Sequence, residues 1–254
     1  MKVLVCIKSV PAVAGRIMLT ADARAIDTRH LGFAIGPHEE CAVEQAVRLI
    51  EAHGGEAVVV TLGPAQALEQ LRDALALGIA RAIHLVTDGE EWDPESTAAA
   101  LVDAIRADEG ASGPFDLVLL GNEAGDSAGY QVAVRIGRAL GRPTITAVKG
   151  MTMGDGSVRC EQEVDGGRDV YELRLPAIAA VLEGINLPRF PSVPGRLRAK
   201  SKPVEVSQPA RPVQHLEMLR LVVPQGAAKQ AEILGRGPEA APAVVAVLQN
   251  LGVI

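Results

Sequence analysis

The stretch Val58-Val59-Val60-Thr61-Leu62-Gly63-Pro64-Ala65-Gln66, carried on by Leu68, Leu71 and Leu75 to Gly78 and then by Ala82-Ile83-His84-Leu85-Val86, decides the fold. Residues 58–62 form a short apolar run, the pattern of a strand covered on both faces. Gly63-Pro64 breaks it. Leu68, Leu71 and Leu75 recur at the three- and four-residue spacing of a helix face, and Gly78 ends that helix. A second apolar run follows at 82–86. Strand, helix and strand in this order predict a parallel pair joined by a right-handed crossover.

The same alternation extends outward in both directions. Residues 2–7 read as a strand. After Pro37, Val43, Ala46, Val47 and Ile50 mark a helix that Gly54-Gly55 stops. A helix is expected at about 96–106, a strand at 117–120, a polar glycine-containing loop at 121–130 and a further helix to about 140. The expected fold is a three-layer α/β/α nucleotide-binding fold on a parallel sheet. Beyond Pro143 four strand-like segments follow, at 144–151, 157–164, 169–175 and 177–182. Gly154-Asp155-Gly156 and Asp165-Gly166-Gly167 supply hairpin turns among them, so antiparallel additions to the sheet edge are expected. From Lys200 onward prolines at 203, 209, 212, 224, 238 and 242 break every period. That predicts an extended C-terminal arm ending in a helix at 242–251. The expected organisation is a domain over 1–200 and an arm over 201–254 that packs on a partner.

Composition narrows the function. Aromatic residues make up 2% of the chain and the net charge is -6. Neither stacking platforms nor a basic footprint for nucleic acid is present. No run approaches the roughly 18 apolar residues of a membrane span, and the opening Met1-Lys2-Val3-Leu4-Val5 reads as a strand and not as a signal peptide. Cys6, Cys41 and Cys160 are widely spaced, with no paired motif for zinc or a disulfide framework. A reducing cytoplasm is the expected setting.

In a doubly wound sheet ligands sit beyond the carboxyl ends of the strands, which directs attention to the loops there. Leu62-Gly63-Pro64-Ala65-Gln66 opens a helix with free amides, although many such turns bind nothing. The loop Gly121-Asn122-Glu123-Ala124-Gly125-Asp126-Ser127-Ala128-Gly129-Tyr130-Gln131 allows close backbone approach and a phosphate at the following helix start. It matches neither GxGxxG nor a Walker loop. Asp126 is a candidate for that ligand or for the helix cap. Gly36-Pro37-His38-Glu39-Glu40 suits a helix start, with Pro37 in the first turn and two acids at the positive end. Glu183-Gly184-Ile185-Asn186-Leu187-Pro188-Arg189-Phe190-Pro191 combines apolar residues with stiffening prolines, as suits a docking loop or a segment that packs down. Arg189, Arg196, Arg198, Lys200 and Lys202 place five positive charges in fourteen residues, a face for an acidic partner or a merely solvated one. No catalytic triad, acid–base carboxylate pair or metal-ligand spacing stands out, which favours binding over catalysis.

In order and spacing these segments resemble the beta subunit of electron-transfer flavoproteins. The resemblance covers nearly residues 1 to 200. It is carried by Val3-Leu4-Val5-Cys6-Ile7-Lys8-Ser9-Val10-Pro11, by Ala42-Val43-Glu44-Gln45-Ala46-Val47-Arg48-Leu49, by Ala74-Leu75-Ala76-Leu77-Gly78 and by Val164-Asp165-Gly166-Gly167, together with the loops above. It implies a heterodimer in which an alpha subunit holds the redox FAD. The beta subunit then has an adenine-nucleotide-hydrolase-like fold and holds a structural AMP. By position, the AMP contacts would be Cys6, Gly36, Pro37, His38, Glu39, Leu62 and residues 121–132, Val132 included. Residues 181–190 match the family's recognition loop for acyl-CoA and related flavin dehydrogenases, with Ile185 as its apolar anchor and Asn186, Leu187, Pro188 and Arg189 beside it. Onward transfer would be to the electron-transfer flavoprotein–quinone oxidoreductase. The family often has Asn at the position of Gly36, and an aromatic that approaches the flavin falls near Val13. Three alternatives stand beside this reading: a bifurcating subunit with a second FAD that NADH reduces, a stand-alone stress-type adenine-nucleotide-binding protein, and a hydrolase of AMP-like substrates.

Overall fold

Strand β1 (Lys2–Ile7) holds five consecutive buried residues, Val3 to Ile7, because both of its faces are covered by helices. A short antiparallel pair, β2 (Ser9–Pro11) and β3 (Phe33–Ile35), leads to α1 (Pro37–His53). Then follow β4 (Glu56–Gly63), α2 (Leu68–Ala76), β5 (Arg81–Val86), α3 (Pro94–Ser112), β6 (Leu117–Gly121) and α4 (Gln131–Leu140). The computed structural model describes residues 1–12, 17–223 and 232–254. Val13 and Pro224 lie outside the described residues. By contacts the chain divides into two units, Met1–Arg220 and Leu221–Ile254.

The first unit is built on a nine-stranded sheet. It adds β7 (Thr144–Met153), β8 (Ser157–Val164), β9 (Gly167–Arg174), β10 (Ala177–Val181), helix α5 (Val193–Ala199) and β11 (Val204–Ser207). The spatial order is β11-β5-β4-β1-β6-β10-β7-β8-β9. Seven strands, from β11 to β7, run parallel, and β8 and β9 add antiparallel to β7.

Two expectations are corrected here. Residues 177–182 and 144–151 do not extend the edge antiparallel. β10 is an interior parallel strand seated between β6 and β7, and Ala177, Ile178, Ala179, Ala180 and Val181 are all fully buried. Its uninterrupted apolar run is the mark of a strand covered on both faces. The hairpin turns nearby drew it into the antiparallel set. The arm, in turn, does not leave the sheet at residue 201. β11 pairs in parallel with β5, and Asp93 Oδ2 accepts from the amides of His215 and Leu216 at 3.0 and 3.1 Å. In the second unit, helix α6 (Ala241–Asn250) has no buried residue.

Two clusters form the core. Val3, Val5 and Ile7 pack with Ala42, Val43 and Ala46 of α1 and Leu71 and Leu75 of α2 on one face. Leu4, Cys6, Val58 and Val60 pack with Leu101 and Ile105 of α3 and Ile136 of α4 on the other. The alternation of β1 residues between the two clusters is the two-residue period of a pleated strand.

A buried ion network closes the amino-terminal ends of the strands. Asp108 of α3 binds Arg81 of β5 and, at 2.7 Å, the Lys2 ammonium of β1. The Asp108 side chain is 6% exposed. Ser112 donates to it at 2.9 Å, and Lys2 lies 4.1 Å from the centre of the Phe115 ring. Burial pushes this carboxyl up, but the bonds from Arg81, Lys2 and Ser112 outweigh that and hold it at about 2. A depressed carboxyl stabilises the fold above its unfolded value and loses that contribution as pH falls through about 2. Asp108→Asn should therefore cost about 2–3 kcal/mol at pH 7, because two cations lose their counter-charge. It should also flatten the fall in stability between pH 4 and pH 2, as read by urea unfolding. An unchanged midpoint at pH 7 would remove the network from the account of stability.

Candidate functional site

From β1 the sheet grows outward through β4 and β5 on one side and through β6 and β10 on the other. The chain therefore reverses its direction of growth beside β1, and the crevice at the carboxyl ends of β1 and β6 is the place where such sheets bind ligands. Three segments meet there: Lys8 after β1, the start of α1 and the loop after β6.

Gly36 caps α1 in extended conformation, without a side-chain cap, and Pro37 occupies the first turn. Glu39 then turns inward. Its carboxyl lies between Gly36 and Gly121. A Cβ on Gly36 would collide with Glu39 Oε2, and a Cβ on Gly121 would stand 2.8 Å from Glu39 Cδ. The room these two glycines leave is thus taken by an acid of the chain itself. Glu39 is 5% exposed, and among the described residues neither its Oε2 nor His38 Nδ1 has a hydrogen-bond partner. Desolvation pushes the Glu39 carboxyl up to about 7. Its own amide and Lys8 pull it down, while Asp126 and Glu40 push further up.

The loop is closed by two bonds, Ala124 N–H to Ala128 O at 2.7 Å and Ala128 N–H to Ala124 O at 2.9 Å. Ala128 at φ 64° and Gly129 at φ 62° make the left-handed exit. The amides of Gly125, Asp126 and Ser127 stand outside those bonds, at the tip. Asn122 anchors the loop base, its Oδ1 accepting from Ala147 N–H at 2.8 Å. Lys8 Nζ donates to Asp126 at 2.9 Å, Ser127 at 2.8 Å and Glu91 at 2.6 Å. Asp126 is therefore a partner of Lys8. It does not cap α4, whose first residues follow Tyr130 with no side-chain cap. Tyr130 is exposed, and its phenol is pushed up by a hydrogen bond with Glu123. Gln131 accepts from Arg135 at 3.1 Å, and Val132 packs against the core cluster of α3 and α4.

Cys6 pairs in register with Leu120 of β6 and Val60 of β4. Burial in the core cluster of α3 and α4 pushes its thiol up to about 12, which leaves it unreactive. Leu62, next to last in β4, is half-buried one strand away. Gly36, Glu39 and Gly121 meet directly, and Lys8 joins them to the loop tip.

The segment 182–190 lies against α1. Asn186 Nδ2 donates to Cys41 O at 3.0 Å and Gln45 Oε1 at 3.1 Å. Arg189 donates to Glu44 at 2.8 and 3.0 Å and to Glu51 at 2.6 and 2.9 Å. Glu44 also accepts from Arg48 at 2.6 Å and is 1% exposed. Burial raises the Glu44 carboxyl, and the bonds from Arg189 and Arg48 overcome this and hold it low. Glu44 is the residue that reading the sequence missed. In sequence it looks like one more acid on a helix, and only its fully buried position reveals a role.

The expected positive face is accordingly reduced. Arg189 is paired with Glu44 and Glu51, Arg196 with Asp73 at 2.9 Å, and Lys202 donates to the carbonyls of Leu75 and Ile79. Ile185 is half-buried and packs against the core, and Pro188 is also half-buried. Leu187 at 82% and Phe190 at 95% exposure are the apolar side chains that face outward. Among the described residues no group of three or more His, Cys, Asp or Glu is placed to hold a metal ion. No helix there is long and apolar enough to cross a membrane.

The doubly wound sheet makes this an α/β protein, with an acid, a lysine and a glycine-bearing loop at its switch point. Comparison with known proteins makes this specific. The electron transfer flavoprotein domain family matches residues 24–212. The chain is 33% identical to the electron transfer flavoprotein subunit beta of Syntrophomonas wolfei over 234 residues, covering 92% of this chain and 90% of that one. It is 36% identical to the Bacillus subtilis subunit beta over 67% of this chain and 65% of that one. With the Homo sapiens subunit beta it shares 33% identity over 82% of each. The chain belongs to the electron transfer flavoprotein family, among its beta subunits. That is a family of electron carriers and not of classical enzymes.

The buried Glu44 generates a prediction. Glu44→Gln should lower stability by about 2 kcal/mol, since Arg189 and Arg48 lose their shared counter-charge. Amide exchange over 182–190 should quicken while exchange in β1 and β6 keeps its order. Equal loss of protection throughout the sheet would mean that Glu44 supports the whole fold and not the loop.

Proposed function

We propose that this chain is the nucleotide-holding subunit of a heterodimeric electron carrier. In this reading a structural AMP is bound at the switch point, an alpha subunit carries the FAD, and the segment 181–190 docks acyl-CoA or related flavin dehydrogenases. Onward transfer would be to a quinone oxidoreductase, in the cytoplasm. The observation that carries the reading is the unpartnered, buried Glu39 Oε2 against Gly36 and Gly121 at the base of the loop after β6, with His38 Nδ1 of the same helix start also unpartnered. A buried polar atom without a partner calls for an explanation, and at a strand-end switch point a bound ligand is one.

The residues present suit an adenylate. Free amides at the tip, with the start of α4 behind them, are donors for a phosphate. Glu39 and His38 would meet the polar atoms of the nucleoside, and Cys6 and Leu62 would wall it. A flavin accepts and releases electrons. This chain's part would be to shape one side of its site and exclude water. The second unit supports a partner-bound arm. Ile233, Leu251, Val253 and Ile254 are 65–76% exposed, apolar side chains that a partner surface would cover.

Two measurements test the reading. The chain co-expressed with its alpha-type subunit should form a 1:1 complex that releases one AMP and one FAD on denaturation, as identified by mass spectrometry. Two FAD and no AMP would instead establish the bifurcating form, and no adenylate of either kind would refute a nucleotide site. For docking, Leu187→Ala and Phe190→Ala should slow electron transfer from the dehydrogenase, costing about 2 kcal/mol of binding for a central anchor, and leave the melting temperature in place. Ile185→Ala should lower both, because its side chain also packs on the core. Unchanged transfer rates in all three variants would place docking elsewhere.

A further inference from the structure

Glu39 sits at the carboxyl end of β6, 5% exposed, with Oε2 unpartnered among the described residues. The charged groups that act on it come from three elements. Its own helix supplies Glu40, the end of β1 supplies Lys8, and the loop after β6 supplies Asp126. Glu91, ahead of α3, joins through Lys8. The Lys8 ammonium is already shared among Glu91, Asp126 and Ser127.

Several acids around one shared lysine make an unusual lining for an anion. A nucleotide phosphate entering beside the loop tip adds negative charge to a cluster that has little left to balance it. A proton taken up on Glu39 removes one negative charge. The neutral carboxyl then offers a donor where an ionised one would repel. We propose that binding of an adenylate at this switch point is coupled to uptake of a proton by Glu39, which makes occupancy of the site sensitive to pH near neutrality. The proposal rests on the nucleotide reading above. Burial already holds this carboxyl at about 7, so little further change is needed to protonate it. A ligand that favours the protonated form binds more weakly as pH rises.

The test is isothermal titration of AMP, and of adenosine 5′-sulfate, into the co-expressed complex freed of nucleotide. The sulfate has no group that titrates near neutrality, so any proton taken up with it belongs to the protein. Affinity should fall roughly tenfold from pH 6 to pH 8. Titration at pH 7.5 in two buffers of different ionisation heat should give about half to one proton taken up per ligand. Glu39→Gln should flatten the pH profile and abolish the uptake. Zero uptake, proton release, or the same pH slope in Glu39→Gln would overturn the proposal. Should Glu39→Gln fail to fold, the proton count with the sulfate in the unaltered complex decides alone. Absence of binding by either ligand at any pH would refute the nucleotide site itself, an outcome distinct from binding without a proton.

Discussion

Everything in the first unit depends on covering one parallel sheet on both faces with small aliphatic side chains. Parallel strands joined by crossover helices must bury both surfaces, and a chain with 2% aromatic residues must do so with Val, Ala, Leu and Ile. β10 is the extreme case. Its Ala177, Ala179 and Ala180 let helices approach the sheet closely, and all five of its residues are 0% exposed. Gly137 of α4 serves the same end, since a Cβ there would run into Thr144 of β7. With the sheet covered on both faces, the rim where the strands end is the place where such folds bind ligands.

Much of the fold was legible for that reason. Apolar runs separated by helical stripes identify β1, β4, β5 and β6, and breakers such as Gly54 and Gly78 end the helices between them. Strand order was less legible. Residues 177–182 have the composition of an interior strand, but their place beside β6 is set by pairing across about sixty residues, which no local pattern records. Val204-Glu205-Val206-Ser207 was hidden differently. A four-residue edge strand between prolines has too few residues to show a period, and its pairing with β5 comes from tertiary contact alone.

At the site, backbone features could be read and side-chain directions could not. The loop glycines from 121 suggested close backbone approach and Gly36 a helix start, and in the fold Gly36 and Gly121 both make room for Glu39. Asp126 had the right type for a helix cap, but Lys8, distant in sequence, claims it. Arg189 appeared free in a basic run, yet it is held by Glu44 and Glu51. Each difference has one cause. A charged side chain takes the partner that the fold brings within 3 Å, and that partner is seldom its neighbour in the chain.

Among the described residues four acids are buried, and three of them, Asp108, Glu44 and Glu39, show what distinguishes a structural acid from a site. Asp108 is neutralised by Arg81 and Lys2 and is held at about 2. Glu44 is neutralised by Arg189 and Arg48 and is held low. Both have cations in direct contact, so the chain itself meets their desolvation. Glu39 has comparable burial but only Lys8 nearby, and that lysine is engaged by two other acids. Among these three desolvation therefore prevails only at Glu39, and its Oε2 is left without a partner. A fold that satisfies its other buried acids and leaves Glu39 open where the strands end is incomplete at that point, and a ligand able to complete the hydrogen bonding has a reason to bind there.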